Sequence, residues 1–235
     1  MNVTQPATRE MAESVLTMGQ CQHILDVGAS PLTVLLRYAI APHAEVILAQ
    51  LVEPPSWARP ESVRWVTCDI RAPDLPRRDG YFDLVVLGEV LEHLPVFPAA
   101  PLTGLWRALR PGGYVLVTTP NVASLHKRIR LLFGQCPVRH LETASNRWES
   151  YYREYTMRGR VGLLREAGSE IECAKYSRAF DTVAARWNDA KPFCNNALRA
   201  IVSRFVLAYC TLAWLVPQWR ANMHILVRRP NTAER

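Results

Sequence analysis

The chain has 235 residues, of which 49% are hydrophobic and 21% charged, a balance that supports one sizeable core in a single domain spanning 1–235. The polar start MNVTQPATREMAES argues against a signal peptide, and six scattered cysteines without a C-x-x-C pair argue against a disulfide framework or zinc site. We therefore expect a cytoplasmic protein. The net charge of +7 lies entirely in residues 151–235, with 14 basic and 7 acidic residues, which indicates either an anionic partner or a solvated basic face.

Short apolar runs alternate with helix-compatible segments over the first half of the chain. The helical segments are predicted at 8–18, 31–41 and 98–109, and Pro111-Gly112-Gly113 is predicted to break the chain before the fifth strand. This alternation predicts an α/β fold with a parallel, doubly wound sheet that helices cover on both faces. The predicted strands are HILDV (23–27), AEVILAQLV (44–52), VRWVTCD (63–69), FDLVVLG (82–88) and YVLVTT (114–119).

The regular alternation of strands and helices ends after the fifth predicted strand. A basic and aromatic connection covers 122–150, and a helix at about 156–167, a strand at 170–177 and a last strand, MHILVRR (223–229), follow. Between these strands we expect a helical insertion, 178–220, which contains the uncharged apolar run FVLAYCTLAWLV (205–216). Twelve residues are fewer than the roughly 20 that cross a bilayer. The run is either a helix that buries one face in the core or an interfacial helix that makes peripheral contact with a membrane.

The loop after the first strand is suited to a ligand without a pyrophosphate. Gly28 allows a tight turn, but Ser30 and Leu32 stand where a dinucleotide fingerprint needs further glycines. Acidic residues also follow the second and third strands, at Glu53 and Asp69. Ligands of doubly wound sheets bind beyond the carboxyl ends of the strands. Each acid alone can be a solvated or capping residue, but several on successive strands predict a site.

Five motifs follow one another along the first half of the chain: LDVGASP (25–31), Glu53, CDI (68–70), FDLVVLGEVLEHL (82–94) and LRPGGYVLVTTPN (109–121). This ordered set resembles the class I S-adenosylmethionine-dependent methyltransferases. The resemblance implies a Rossmann-like, mostly parallel seven-stranded sheet with an antiparallel member and a cofactor-binding core at 20–121. It also implies that the cofactor's methionine part meets Asp26, Gly28, Ala29 and Ser30, its ribose Glu53, its adenine Asp69 and Ile70, and that Gly88 borders it.

A further likeness is to a bacterial subgroup with E-x-x-E-H and REYT motifs, here REYT (153–156) followed by LLREAGSEI (163–171). That subgroup implies methyl transfer, chiefly O-methylation, to a glycan, lipid-linked or other small-molecule acceptor. Two alternatives are a non-catalytic protein with a cofactor fold and an RNA methyltransferase. No separate RNA-binding module is found, and we do not expect a nucleic-acid partner.

The catalytic candidates are Glu89, Glu92 and His93, just past the fourth strand. His93 could be a general base that a carboxylate orients. Alternatively, Glu89 could border the cofactor while Glu92 and His93 cap and pack a helix. In a third interpretation the three residues bind a divalent metal, but Tyr151 stands where the subgroup commonly has a histidine, so we predict no metal ligands.

The segment at 122–160 is predicted to be a lid on the acceptor side. Cations such as Lys127 and Arg130 stand among apolar residues there, and several aromatic residues follow. This mixture suits a sugar or phosphate-bearing acceptor, single-stranded RNA, or a solvated amphipathic helix.

Overall fold

The structure of the protein is a computed structural model. It describes residues 10, 13–15, 18–19, 21–29, 31–54, 63–71, 79–94, 99–137, 152–177, 187–188 and 190–230. Most of the helix predicted at 8–18 lies outside these residues, as do Ser30, Tyr151 and the middle of the predicted lid.

Seven strands form one sheet in the order β3-β2-β1-β4-β5-β7-β6. The first five are parallel, and β7 runs antiparallel to both β5 and β6. The predicted doubly wound sheet with one antiparallel member is therefore confirmed. The strands are β1 (His23–Val27), β2 (Glu45–Gln50), β3 (Arg64–Thr67), β4 (Phe82–Gly88), β5 (Leu109–Pro120), β6 (Glu170–Tyr176) and β7 (Asn222–Arg228).

The central strands are buried on both faces, which explains their unbroken apolar sequences. Leu25 and Val27 of β1 contribute to one core cluster, whereas Ile24 contributes to a second cluster on the opposite side of the sheet. Helices cover both layers, as expected of parallel sheets.

The helices follow the strands in the α/β order. Their ranges are α1 (Pro31–Leu35), α2 (Ala99–Ala108), α3 (Leu125–Leu132), α4 (Met157–Glu166) and α5 (Asn196–Leu215). A π-helical turn, Leu36–Ile40, continues α1, and the 3-10 turns within the described residues include Leu91–His93, Lys191–Phe193 and Pro217–Trp219. Helix α4 begins where the Thr156 side chain accepts a hydrogen bond from the backbone N–H of Gly159.

The fifth strand begins earlier than its sequence predicts. Leu109 already pairs with Phe82, and regular pairing resumes where Tyr114 meets Leu84. The intervening Pro-Gly-Gly segment forms a bulge that interrupts the register without ending the strand. Gly112 allows the bulge, because only glycine adopts its φ of +73° without strain.

The prediction that the apolar insertion helix buries one face in the core is wrong. Helix α5 is longer than the run at 205–216, and Ala213 is its one fully buried residue. In the described part of the chain, it is also the one helix whose length and composition would allow it to cross a membrane.

Candidate active site

Asp26, near the carboxyl end of β1, carries an unsatisfied carboxylate oxygen. Its side chain is 1% exposed, and Oδ2 accepts a 2.5 Å hydrogen bond from the Thr33 hydroxyl. Its other oxygen, Oδ1, has no hydrogen-bond partner among the described residues. Burial raises the pKa of Asp26 to about 7, which the hydrogen bond from Thr33 partly opposes. A buried, ionisable acceptor of this kind suits an ammonium group.

The turn after β1 requires glycine at position 28. Gly28 has a φ of +82°, and a Cβ built there would lie 3.3 Å from Cγ2 of Val90. The backbone N–H of the following residue, Ala29, donates to the Gln50 side chain at 2.9 Å. Gln50, the last residue of β2, therefore fixes this loop, a role that the sequence did not reveal.

The other predicted cofactor residues lie at the same edge of the sheet with different exposures. Glu53 is exposed, three residues beyond β2. Asp69 pairs with Arg71, whose Nε donates to Asp69 Oδ1 at 2.8 Å, and this hydrogen bond lowers the pKa of Asp69. Ile70 packs partly buried against the core, and Gly88 ends β4 opposite Thr118 of β5.

Glu89 adopts a strained backbone conformation directly after β4. Its φ of +57° is the one positive value at a non-glycine residue among the described residues, and its N–H donates to the Thr118 carbonyl at 3.1 Å. Glu92 and His93 belong to the 3-10 turn, not to an α-helix that includes Glu89. The three predicted catalytic residues therefore do not share a regular helical face, but backbone strain is typical of functional sites.

Two carboxyl groups of this segment interact in a buried setting. Glu92 is fully buried, its Oε2 accepts a 3.2 Å hydrogen bond from Thr119, and its Oε1 has no hydrogen-bond partner within the described part of the chain. Burial, reinforced by the charge of Glu89, raises the pKa of Glu92 to about 8. Burial likewise raises the pKa of Glu89, opposed by hydrogen bonds to Glu92 and Thr118. The pair therefore holds a proton near neutral pH.

Arg160 of α4 faces this carboxyl pair and was not predicted as a site residue. Its side chain is fully buried, and its Nη2 donates to the Thr119 hydroxyl at 3.0 Å. The guanidinium lies 3.7 Å from the centroid of the Tyr155 ring. The sequence carried a signal, because Arg160 precedes the buried Leu163 and Leu164 at the i, i+3, i+4 spacing of a core-facing stripe.

The REYT segment contacts Glu92 through its backbone and Arg160 through the Tyr155 side chain. The backbone N–H groups of Tyr152 and Arg153 donate to the Glu92 carbonyl, at 2.8 and 3.3 Å. Glu154 forms a buried ion pair with Lys127 of α3. The remaining two residues, Tyr155 and Thr156, support Arg160 and begin α4. Each position of the motif thus makes a structural contact, and that of Arg153 is with Glu92 itself.

The residues present fit S-adenosylmethionine. The unsatisfied oxygen of Asp26 is a partner for its amino group, and the glycine turn lets the chain pass close to a ligand. Among the described residues, no group of three or more histidine, cysteine or acidic side chains could hold a metal ion.

Comparison with known proteins agrees with this geometry. Residues 25–117 match the family model described as a methyltransferase domain. No curated protein matches the chain. The solved structures it resembles include a S-adenosylmethionine-dependent methyltransferase from Archaeoglobus fulgidus, which is 13% identical with a TM-score of 0.58, over 94% of this chain and 92% of that one.

Two further similar structures contain bound ligands. One is the 1,6-didemethyltoxoflavin-N1-methyltransferase of Burkholderia thailandensis with S-adenosylhomocysteine, 17% identical with a TM-score of 0.58, over 97% of this chain and 80% of that one. The other is the geranyl diphosphate C-methyltransferase of Streptomyces coelicolor, 15% identical with a TM-score of 0.57, over 94% and 79%.

The fold is the Rossmann-like fold of these solved methyltransferases, and the family-model match covers residues 25–117. The Asp26 carboxylate and the Gly28 turn lie in this segment and fit S-adenosylmethionine.

Proposed function

We propose that the chain transfers the methyl group of S-adenosylmethionine to a hydroxyl oxygen of a glycan, lipid-linked or other small-molecule acceptor. The observation that carries this proposal is the buried Glu89–Glu92 pair beside His93, at the carboxyl end of β4. A hydroxyl is a poor nucleophile until its proton is removed, whereas many amines attack without a base. A group that accepts protons near neutral pH therefore favours an oxygen acceptor.

We assign proton removal to His93. It is partly exposed, whereas Glu92 lies fully buried behind it. The charges of Glu92 and His93 interact, since His93 is among the causes that lower the pKa of Glu92. When His93 takes the acceptor proton, the resulting imidazolium is stabilised by the negative charge that the carboxyl pair carries.

Burial and Arg160 together set the charge of the carboxyl pair. The buried guanidinium of Arg160 stabilises one negative charge on Glu89 and Glu92, while burial opposes a second. The pair therefore keeps one shared proton and one negative charge. A single charge orients His93, whereas two charges would hold it in a permanent ion pair.

The cofactor supplies an electrophilic methyl group on a sulfonium. Transfer of this methyl group needs no covalent intermediate on the protein. The chain must align the acceptor oxygen and exclude water. Lys127 of α3 pairs with Glu154, and the backbone N–H of Arg153 donates to the Glu92 carbonyl. These contacts support the expectation that the segment at 122–160 is a lid on the acceptor side. The Streptomyces neighbour acts on geranyl diphosphate, so this fold accommodates an amphiphilic acceptor with a phosphate.

The test is transfer of radioactive methyl from S-adenosylmethionine to separate glycan and solvent-extracted lipid fractions of bacterial cells. We expect labelled methyl ethers that survive alkaline treatment and are identified by mass spectrometry after acid hydrolysis. Replacing His93 with Asn should reduce transfer by about 100-fold or more, the usual contribution of a general base. Calorimetric affinity for the cofactor should stay within about threefold of wild type, because the base is needed only for the reaction.

His43→Asn is the matched control, because His43 is exposed and precedes β2 at the opposite edge of the sheet. It should leave transfer unchanged. Label found only in N-methyl or C-methyl groups, or an unchanged rate in His93→Asn, would contradict the proposal.

A further inference from the structure

Helix α5 presents an apolar surface to solvent along most of its length. Its less exposed side includes Ser203, whose hydroxyl accepts a 3.1 Å hydrogen bond from the Trp187 indole N–H. Exposed apolar side chains recur at spacings of three, four and seven residues from Leu198 to Leu215 and form one stripe, whereas Leu207 and Trp214 lie on another side of the helix. The exposed apolar side chains, which we call the α5 surface, are Leu198, Ile201, Phe205, Leu207, Leu212, Trp214 and Leu215.

A second exposed apolar group lies at the end of α3. Leu132 is 82% exposed and Phe133 is 74% exposed, next to Ile129 and Leu131. We call residues 129–133 the α3 tip. Its arginine, Arg130, is also exposed.

Asn121 joins the two groups at the carboxyl end of β5. Its side-chain amide donates to the carbonyls of Gln218 and Arg220, just after α5, at 2.9 and 2.8 Å. Its side-chain oxygen accepts from Ala123, just before α3, at 2.9 Å. The end of α5 and the start of α3 therefore both approach the carboxyl ends of the strands, where Glu89 and Glu92 lie.

The charge around these apolar groups has one sign. Residues 190–220 contain no Asp or Glu but four cations: Lys191, Arg199, Arg204 and Arg220. Residues 122–141, which include the α3 tip, also contain no acid. An apolar face with cations and exposed tryptophan is complementary to a bilayer that contains anionic lipids.

The ends of the insertion determine how α5 can meet a bilayer. Ser177, just after β6, donates its backbone N–H to the carbonyl of Asn222 at 2.9 Å, so the chain leaves and re-enters the sheet at one place. A single crossing would put these two ends on opposite sides of the membrane. A return crossing would have to use residues 178–195, which include Arg178, Asp181, Arg186, Asp189 and Lys191.

We propose that the α5 surface and the α3 tip dock the protein on the surface of a bilayer rich in anionic lipids, with α5 lying in the plane of the interface. The carboxyl edge of the sheet then faces the membrane. This inference does not depend on the proposed acceptor or on His93.

Flotation of the full chain with vesicles tests the docking. We expect binding to vesicles of phosphatidylcholine mixed with phosphatidylglycerol, weaker binding to phosphatidylcholine alone, and loss of binding as salt rises. Phe205→Ser and Trp214→Ser should each weaken vesicle binding by about tenfold, since each removes a large apolar side chain from the interface.

Tyr38→Ser is the matched control, because Tyr38 of the π-helical turn is 61% exposed and Trp214 is 62% exposed. It should leave vesicle binding unchanged, and all variants should show the wild-type melting temperature. Alkaline carbonate should release the bound protein, because an in-plane helix does not span the bilayer.

Three results would overturn the proposal. The first is no binding to either vesicle by folded protein. The second is a dimer in light scattering without lipid that Phe205→Ser and Trp214→Ser dissociate, which would assign the α5 surface to a second copy of the chain. The third is retention in the membrane after carbonate treatment, which would mean that α5 is inserted across it.

Discussion

The Arg160 guanidinium is stacked on the Tyr155 ring, with 3.7 Å between the guanidinium carbon and the ring centroid. A fully buried arginine loses its hydration, and this contact with the negative face of the ring replaces part of it. The stack links the REYT segment to α4 and places a positive charge beside Glu92.

Tyr155→Leu should destabilise the protein by about 2 kcal/mol, because a desolvated cation–π contact is lost while an apolar side chain of similar size remains. Tyr155→Phe keeps the ring and should cost less than about 1 kcal/mol. Urea unfolding of the two variants measures the difference. Equal losses of unfolding free energy would show that the stack does not stabilise Arg160.

Glu89→Gly should be more stable than Glu89→Ala by about 1 kcal/mol, because glycine adopts a φ of +57° without steric strain. Both variants lack the carboxyl group, so comparing their melting curves isolates the backbone term. Both should lose methyl transfer. If Glu89→Ala is the more stable variant, the backbone at this position is not strained.

Gly28→Ala should destabilise the protein by about 1 kcal/mol or more and weaken cofactor binding. The alanine Cβ would be strained at a φ of +82° and crowded against Val90. Gly134→Ala is the control, since its φ is +69° and a Cβ there meets nothing within 4 Å. Thermal melts and calorimetric titration should show cofactor affinity unchanged in Gly134→Ala. A stability loss no larger than in the control would rule out the contact with Val90 as its cause.

Asp26→Asn should stabilise the protein without cofactor at pH 8 by up to about 4 kcal/mol, since each pKa unit corresponds to about 1.4 kcal/mol. The folded-state pKa of Asp26, about 7, lies above its ordinary value of 3.8, so the folded state binds the proton more tightly than the unfolded state. The stability contributed by this group is complete below pH 3.8 and is lost as pH rises through 7. Asparagine carries no charge and avoids that loss, which chemical denaturation at pH 5 and pH 8 measures.

The same variant should bind S-adenosylmethionine more weakly. The ammonium group pairs with the ionised carboxylate, so wild-type affinity should increase as pH rises through the pKa of Asp26, about 7. Asp26→Asn should abolish that increase in calorimetric titrations. A wild-type affinity that is independent of pH between 6 and 8 would place the ammonium elsewhere.

The strands were predictable because burial on both faces leaves a direct record in the sequence. Strands β1 and β4 have the predicted bounds, since almost every residue in them must be apolar. The start of β5 could not be predicted from the sequence, because Pro-Gly-Gly usually ends a strand. The pairing of Leu109 before that segment depends on the neighbouring strand β4.

The site was predictable in position but not in its internal contacts. Strand ends located Asp26 and Glu92, because topology brings the carboxyl ends of parallel strands together. Arg160 and Gln50 escaped prediction, since their contacts join segments that are distant in sequence and an arginine in a helix ordinarily faces solvent. The burial of α5 was predicted wrongly, because an uncharged apolar run ordinarily indicates a helix that packs in the core.

The hydrogen bond between Ser177 and Asn222 has an evolutionary consequence. Strands β6 and β7 are antiparallel neighbours, so a short hairpin turn would be enough to connect them. The chain between them can therefore lengthen, shorten or be exchanged without rewiring the sheet. Selection can thus alter the segment that carries α5 while the strand ends that hold Asp26 and Glu92 stay in place.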